Sequence, residues 1–169
     1  LNYIIEEKTI LWWGGLGRST EHTAFLNLKN GIDAPESGSH KINGDWIPEQ
    51  IGAQIFIDGF AMSTPGDPDL AAKNVRAAAS VSHDGIALDA AVLLGTMESM
   101  AFYEKDKDKL LDRGLSYVKD KHLLNVVEKL RNECEKTNDW HKVRHWIAKN
   151  HGYKHYEGPC HVVPNHLIV

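Results

Sequence analysis

The stretch AAASVSHDGIALDAA, residues 77–91, decides the fold. Its two alanine-rich ends favour helix and carry small side chains, so the helices they belong to can approach each other closely. Between them Ser82-His83-Asp84-Gly85 reads as a junction, with Gly85 free to turn the chain where a side chain would obstruct it. Two helices packed tightly across a short polar turn are therefore the expected centre of the molecule. The turn carries the one histidine of this region, His83, which either hydrogen-bonds structurally or faces a ligand.

Helical signals continue on both sides of this pair. Asp67 followed by Pro68 is a start signal, and the helix it opens runs to about Ser80. After the junction Ile86, Ala90, Leu93, Met97 and Ala101 keep an apolar face at helical spacing. Upstream, Pro48 suits the first turn of a single helix over residues 49–62, which the turn formers Ser63-Thr64-Pro65-Gly66 then end. Downstream, Leu123, Leu124, Val126, Val127 and Leu130 form another stripe. Asp139 caps a helix carrying Trp140, Val143 and Ile147, which ends near Asn150-His151-Gly152. Residues 21–28 form an early helix behind the cap candidates Ser19 and Thr20. Residues 31–45 are rich in glycine, proline, serine and asparagine and read as a loop, and the charged residues 104–112 read as a solvated connection. The segments favour an all-α, multi-helix bundle, with residues 1–169 forming one domain.

Bulk composition agrees. A chain of 169 residues buries one sizeable core, and 42% apolar with 25% charged residues is ordinary for a soluble protein. The net charge of -4, with lysine and arginine interspersed among acids, excludes a broad nucleic-acid footprint. Cys134 and Cys160 are too few for a disulfide scaffold, and with no signal peptide and no apolar membrane span the expected location is cytoplasmic. Both ends read as cuts, since Leu1 is not an initiator methionine and His166-Leu167-Ile168-Val169 stops as an apolar segment begins.

Several polar groups are candidate site residues. On a helix over residues 49–62, Gln50, Gln54 and Asp58 fall four apart and make one narrow polar stripe, while Ile51, Ala53, Ile55, Phe56, Ile57 and Phe60 leave most of the circumference apolar. A helix of that kind is expected to be buried on more than one side, so its stripe either lines a pocket or joins an internal hydrogen-bond network. Ser63-Thr64-Pro65-Gly66-Asp67-Pro68 is explained by turn formation and capping, and its spacing is neither a P-loop nor a dinucleotide fingerprint. His141 and His145 stand at i,i+4 spacing, but no glutamate completes a zinc-hydrolase signature, and the flanking Trp140 and Trp146 suit packing. In Cys160-His161-Val162-Val163-Pro164-Asn165-His166, Pro164 is placed to open a helix with Asn165 and His166 in its first turn, as capping or as ligand-positioning groups.

Taken in order, Asn27-Leu28-Lys29-Asn30-Gly31, Ala34-Pro35-Glu36-Ser37-Gly38, Glu49-Gln50-Ile51-Gly52-Ala53-Gln54-Ile55, Pro65-Gly66-Asp67-Pro68, Ala78 through Gly85, and the Cys160-to-His166 stretch resemble the central portion of an ADP-ribosylglycohydrolase-like protein of the ADP-ribosylation/crystallin J1 superfamily. The resemblance implies an incomplete all-α, orthogonal multi-helix bundle that is a hydrolase of an N-glycosidic bond in an ADP-ribosyl or related ribosyl compound. It implies substrate contacts from Gln50, Gln54, Asp58, Ser82, His83, Asp84, Asn165 and His166, with His83 positioning substrate. It also implies Mg2+ or Mn2+ held by an early Asp-Asp-Thr-like and a late Asp-Thr-Asp-like motif, which activates the attacking water. Neither motif is in this chain, so no metal ligand and no catalytic residue is assigned here. In the intact protein flanking segments or another chain would complete the fold. The arginine-containing continuation common after the Gly52-to-Ile55 stretch is replaced by Phe56, Ile57 and Asp58, which bears on nucleotide preference. A noncatalytic ADP-ribose-binding or structural helical module is the alternative.

Overall fold

A computed structural model of the protein describes residues 19–168. The chain passes through α1 (Thr20–Lys29), a 3-10 turn (Glu36–Gly38), α2 (His40–Asn43), α3 (Gly52–Phe56), α4 (Asp58–Met62), α5 (Pro68–Ala79), α6 (Ile86–Met100), α7 (Lys107–Leu115), α8 (Lys121–Glu135), α9 (Trp140–His151), a second 3-10 turn (Tyr153–His155) and α10 (Val162–His166). Among the described residues the sole extended pairing is an isolated antiparallel bridge between Gln50 and His161. The class is all-α, a multi-helix bundle.

Helix α6 is the axis of the molecule. Its sequence is apolar nearly all round, which only a helix surrounded by others can satisfy. Ile86, Ala87, Ala90 and Leu93 join Leu123, Val126 and Val127 of α8, Ile147 of α9 and Val162 and Val163 of α10 in one core cluster. Ala91 and Val92, on its other side, join Ala53, Ile57, Val75 and Ala79 in a second. The α5 and α6 pair packs most extensively, as the alanines predict. Gly95 leaves room for the Val75 side chain, since a Cβ there would lie 2.7 Å from Val75 Cγ2.

Local caps agree with the sequence. Asp67 Oδ1 accepts from the Leu70 N–H at 3.0 Å, Asp139 Oδ1 from His141 N–H at 3.0 Å, and Ser19 Oγ from His22 N–H at 3.2 Å. Each satisfies an N–H that has no partner inside its helix.

Four expectations need correction. The single helix over residues 49–62 is two five-residue helices, α3 and α4, and Glu49 to Ile51 lie outside both. Tertiary pairing takes those residues away: Ile51 N–H donates to Cys160 O and Val162 N–H to Glu49 O, each at 2.8 Å. Nor is the segment buried on more than one side, because Ile57 is wholly enclosed while Ile55 is 70% exposed and Phe60 and Met62 also face outward. Residues 104–112 are not merely a connection. Asp106 caps α7 through the N–H groups of Asp108 and Lys109, and Leu111 and Leu115 pack on the core. Finally, α10 begins at Val162, two residues before Pro164. His161 caps it, its Nδ1 accepting from the Val163 N–H at 3.1 Å. The loop over residues 31–45 contains the first 3-10 turn and α2, and a cis Ala34-Pro35 peptide. The reading of Leu1 and Val169 as cut ends lies outside the described residues.

Candidate functional site

The junction after α5 holds its shape through backbone bonds first. Ser82 and His83 N–H groups both donate to Ala79 O, and Asp84 N–H donates to Pro48 O at 3.2 Å. Gly85 then takes φ 57°, where a side chain is disfavoured and would also strike the His40 ring. Ser37 Oγ donates to Val81 O at 2.7 Å and pins the first 3-10 turn against the junction.

His83 sits beneath the start of α3 and is 1% exposed. Its Nε2 accepts the Ala53 N–H at 3.1 Å, so the ring proton is on Nδ1, 2.8 Å from Ser82 Oγ. Burial holds its pKa down at about 3, which keeps the ring neutral and able to accept. Gly52 provides the room for this approach, because a Cβ there would stand 2.9 Å from His83 Nε2.

Asp84 points the other way. Its Oδ2 accepts the His40 N–H at 3.1 Å and lies 3.3 Å from His40 Nδ1, while its Oδ1 accepts the Gly85 N–H. His40 Nε2 lies 3.2 Å from Glu49 Oε1, and Glu49 Oε2 accepts from His161 Nε2 at 3.1 Å. Because His161 Nδ1 already accepts the Val163 N–H, Nε2 carries the proton in that last bond. An alternating acid and imidazole chain thus runs Asp84, His40, Glu49, His161 across segments far apart in sequence. Tyr156 stacks on the His161 ring at 4.4 Å. Glu49, His161 and Tyr156, with Asp45, Trp46, His155 and Glu157, line a cleft of about 230 Å³.

Other expected site residues lie elsewhere. Gln54 is buried and its Nε2 is 2.7 Å from His166 Nδ1, a pairing across 112 positions. Gln54 Oε1 has no partner among the described residues, and burial lowers the His166 pKa to about 4. Gln50 is buried in its bridge to His161 and does not share a helical stripe with Gln54. Asp58 is exposed on α4; burial and then the Asp58 charge push the Glu98 carboxyl up to about 7. Asn165 Nδ2 donates to Pro159 O and His161 O, and its Oδ1 accepts from Tyr153 O–H, so it braces the loop before α10. His141 stacks on Trp140 at 3.7 Å. Among the described residues no group of three His, Cys, Asp or Glu could hold a metal ion, and no helix is long and apolar enough to cross a membrane.

The structure therefore brings Gln54 to His166, and Ser82 and His83 to α3, but separates both groups from Asp58. It adds His40, Glu49, Tyr156 and His161, which the sequence alone did not single out as site residues. The local signal was the density of histidines in residues 151–161, where His151, His155 and His161 stand.

No curated protein and no solved structure matches the chain. The family model for ADP-ribosylglycohydrolase matches residues 5–164. With that match running through the junction, the cleft and almost all of the helical bundle around them, the chain belongs to the ADP-ribosylglycohydrolase family.

Proposed function

We propose that the intact protein hydrolyses the N-glycosidic bond of an ADP-ribosyl or related ribosyl compound, and that the cleft between Glu49, Tyr156 and His161 receives the ribosyl end. The observation that carries this reading is the convergence, in a family member, of three carboxylates, the imidazoles of His155 and His161 and two aromatic rings on one cleft. In the reaction the C1′–N bond breaks with its electron pair passing to nitrogen, a water oxygen bonds C1′, and a proton of that water passes to the departing nitrogen.

The chain's own groups have separable tasks. Trp46 and Tyr156 offer flat apolar walls that exclude water and suit a sugar or base face. Ser82 and His83 position α3, Asp84 positions His40, and Gln50 and Asn165 hold the two strands of chain that frame the cleft. Gln54 and His166 form a second buried polar pair, and Gln54 Oε1 has an acceptor to spare. Asp58 contributes charge beside Glu98. Mg2+ or Mn2+, which the family resemblance implies, finds no ligand set among the described residues, so no step is assigned to it. A cytoplasmic location and an ADP-ribose-like or ADP-ribosylated partner belong to the same proposal.

A second reading, a noncatalytic ADP-ribose-binding module, is favoured by the absence of the Asp-Asp-Thr-like and Asp-Thr-Asp-like motifs. Calorimetric titration with ADP-ribose, paired with chromatography of an ADP-ribosylated peptide incubated with Mg2+ or Mn2+, separates the two. Saturable binding that Trp46→Ala weakens at least tenfold is expected under both. Release of ADP-ribose supports the hydrolase, binding without release by the full-length protein supports the module, and no heat over a broad ligand range rejects both.

A further inference from the structure

The cleft is framed by three carboxylates, and they are not equivalent. Asp45 and Glu157 are exposed at its rim, where water screens their charge. Glu49 is different, with a side chain only 27% exposed, its Oε2 accepting from His161 Nε2 at 3.1 Å and its Oε1 lying 3.2 Å from His40 Nε2. Its backbone is held too, since Glu49 O accepts the Val162 N–H and the next residue but one, Ile51, donates to Cys160 O. A charge fixed from both ends and half withdrawn from solvent acts on a neighbouring charge more strongly than a mobile surface one, and it needs no reorganisation to do so. Each carboxylate oxygen keeps a further lone-pair direction beyond the imidazole it faces.

The other acids on these elements do not compete. Asp84 is committed to the His40 N–H, the His40 ring and the Gly85 N–H, and it does not line the cleft. Asp58 lies on the outward α4, in the field of Glu98.

The geometry points to Glu49 as the carboxylate that faces the ribosyl ring and stabilises the positive charge that develops on it as the C1′–N bond breaks. This rests on the proposed ribosyl hydrolysis. His161 is then a positioning residue: it fixes the carboxylate while Tyr156 backs its ring.

The test uses binding, so it does not depend on turnover. Calorimetry of the full chain compares a hydroxylated pyrrolidine whose protonated ring nitrogen mimics the ribosyl cation with the uncharged tetrahydrofuran of the same substitution. Wild type is expected to prefer the cation at least tenfold, and Glu49→Gln to bring the two ligands within about twofold while keeping affinity for the neutral ring. That retained affinity also reports that the variant is folded. No preference in wild type overturns the role of Glu49 without any variant, and a preference that survives in Glu49→Gln overturns it equally. ADP-ribose is titrated in parallel: a Glu49-dependent preference without ADP-ribose heat leaves the carboxylate's role standing and sinks the ADP-ribosyl reading, whereas ADP-ribose heat without the preference does the reverse.

Discussion

His83 is a neutral imidazole with both nitrogens engaged, and that state sets its pH behaviour. Folded, it takes a proton only near pH 3; unfolded, at its ordinary value of 6.5. As pH falls from 6.5 towards 3 the unfolded chain binds the proton first, so stability falls with it. The span corresponds to about 5 kcal/mol at most, and His166, lowered to about 4, works in the same direction. Glu98 opposes them. Its carboxyl is raised from 4.5 to about 7, so its contribution is lost as pH rises across that window; at its half-exposed position about 1 kcal/mol remains after screening. Urea denaturation between pH 4 and 8 should therefore show a fall on the acid side that flattens in His83→Ala. At pH 7.5 the same variant should lose about 3 kcal/mol, because the Ala53 N–H and Ser82 hydroxyl lose their partner and a cavity is left. A variant as acid-sensitive as wild type would assign that loss to other groups.

At the scale of elements the α5 and α6 contact depends on Gly95. Gly95→Ala places a Cβ 2.7 Å from Val75 Cγ2, inside a pair of helices that also bury Ala79, Ala91 and Val92 against each other. The expected cost is about 1–3 kcal/mol, and Val75→Ala in the same chain should return part of it. Additive losses in that double-mutant cycle, measured by chemical denaturation, would show that the two positions do not meet. The helices most legible in the sequence are those with local start signals: Asp67 before Pro68, Asp139 before Trp140, Ser19 before Thr20. Each cap joins residues two or three apart, so composition over one turn suffices. Residues 49–62 failed for the opposite reason. Their apolar spacing fits one helix, but the first three residues pair with residues 160–162, and α3 and α4 are what remains of it.

For the molecule as a whole Asp89 is the central tie. Buried on α6, it receives Arg76 Nη2 from α5 at 2.6 Å and the N–H groups of Lys119 and Asp120, which lead into α8, at 2.6 and 2.7 Å. One carboxylate thereby joins three parts of the bundle. Asp89→Ala leaves two backbone donors and a guanidinium without their acceptor and should cost about 3–5 kcal/mol, with Arg76→Ala costing less because its side chain is a third exposed. Equal losses from both variants in thermal denaturation would contradict this ranking. Sequence pattern gave no sign of it, since Asp89 differs from any other helical acid only by what packs around it.

The amino-acid sequence by itself determined the helical class, the central alanine-rich pair, the starts of α1, α5, α6 and α9 and the family resemblance, because periodicity, caps and short motifs are properties of neighbouring residues. Only the tertiary structure decided that Gln54 meets His166, that Asp84 meets His40, and that Glu49 is the half-buried carboxylate in the cleft. The physical reason is separation along the chain. Glu49 and His161 stand 112 positions apart, and their meeting depends on how α3, α6 and α10 pack, which no local spacing encodes.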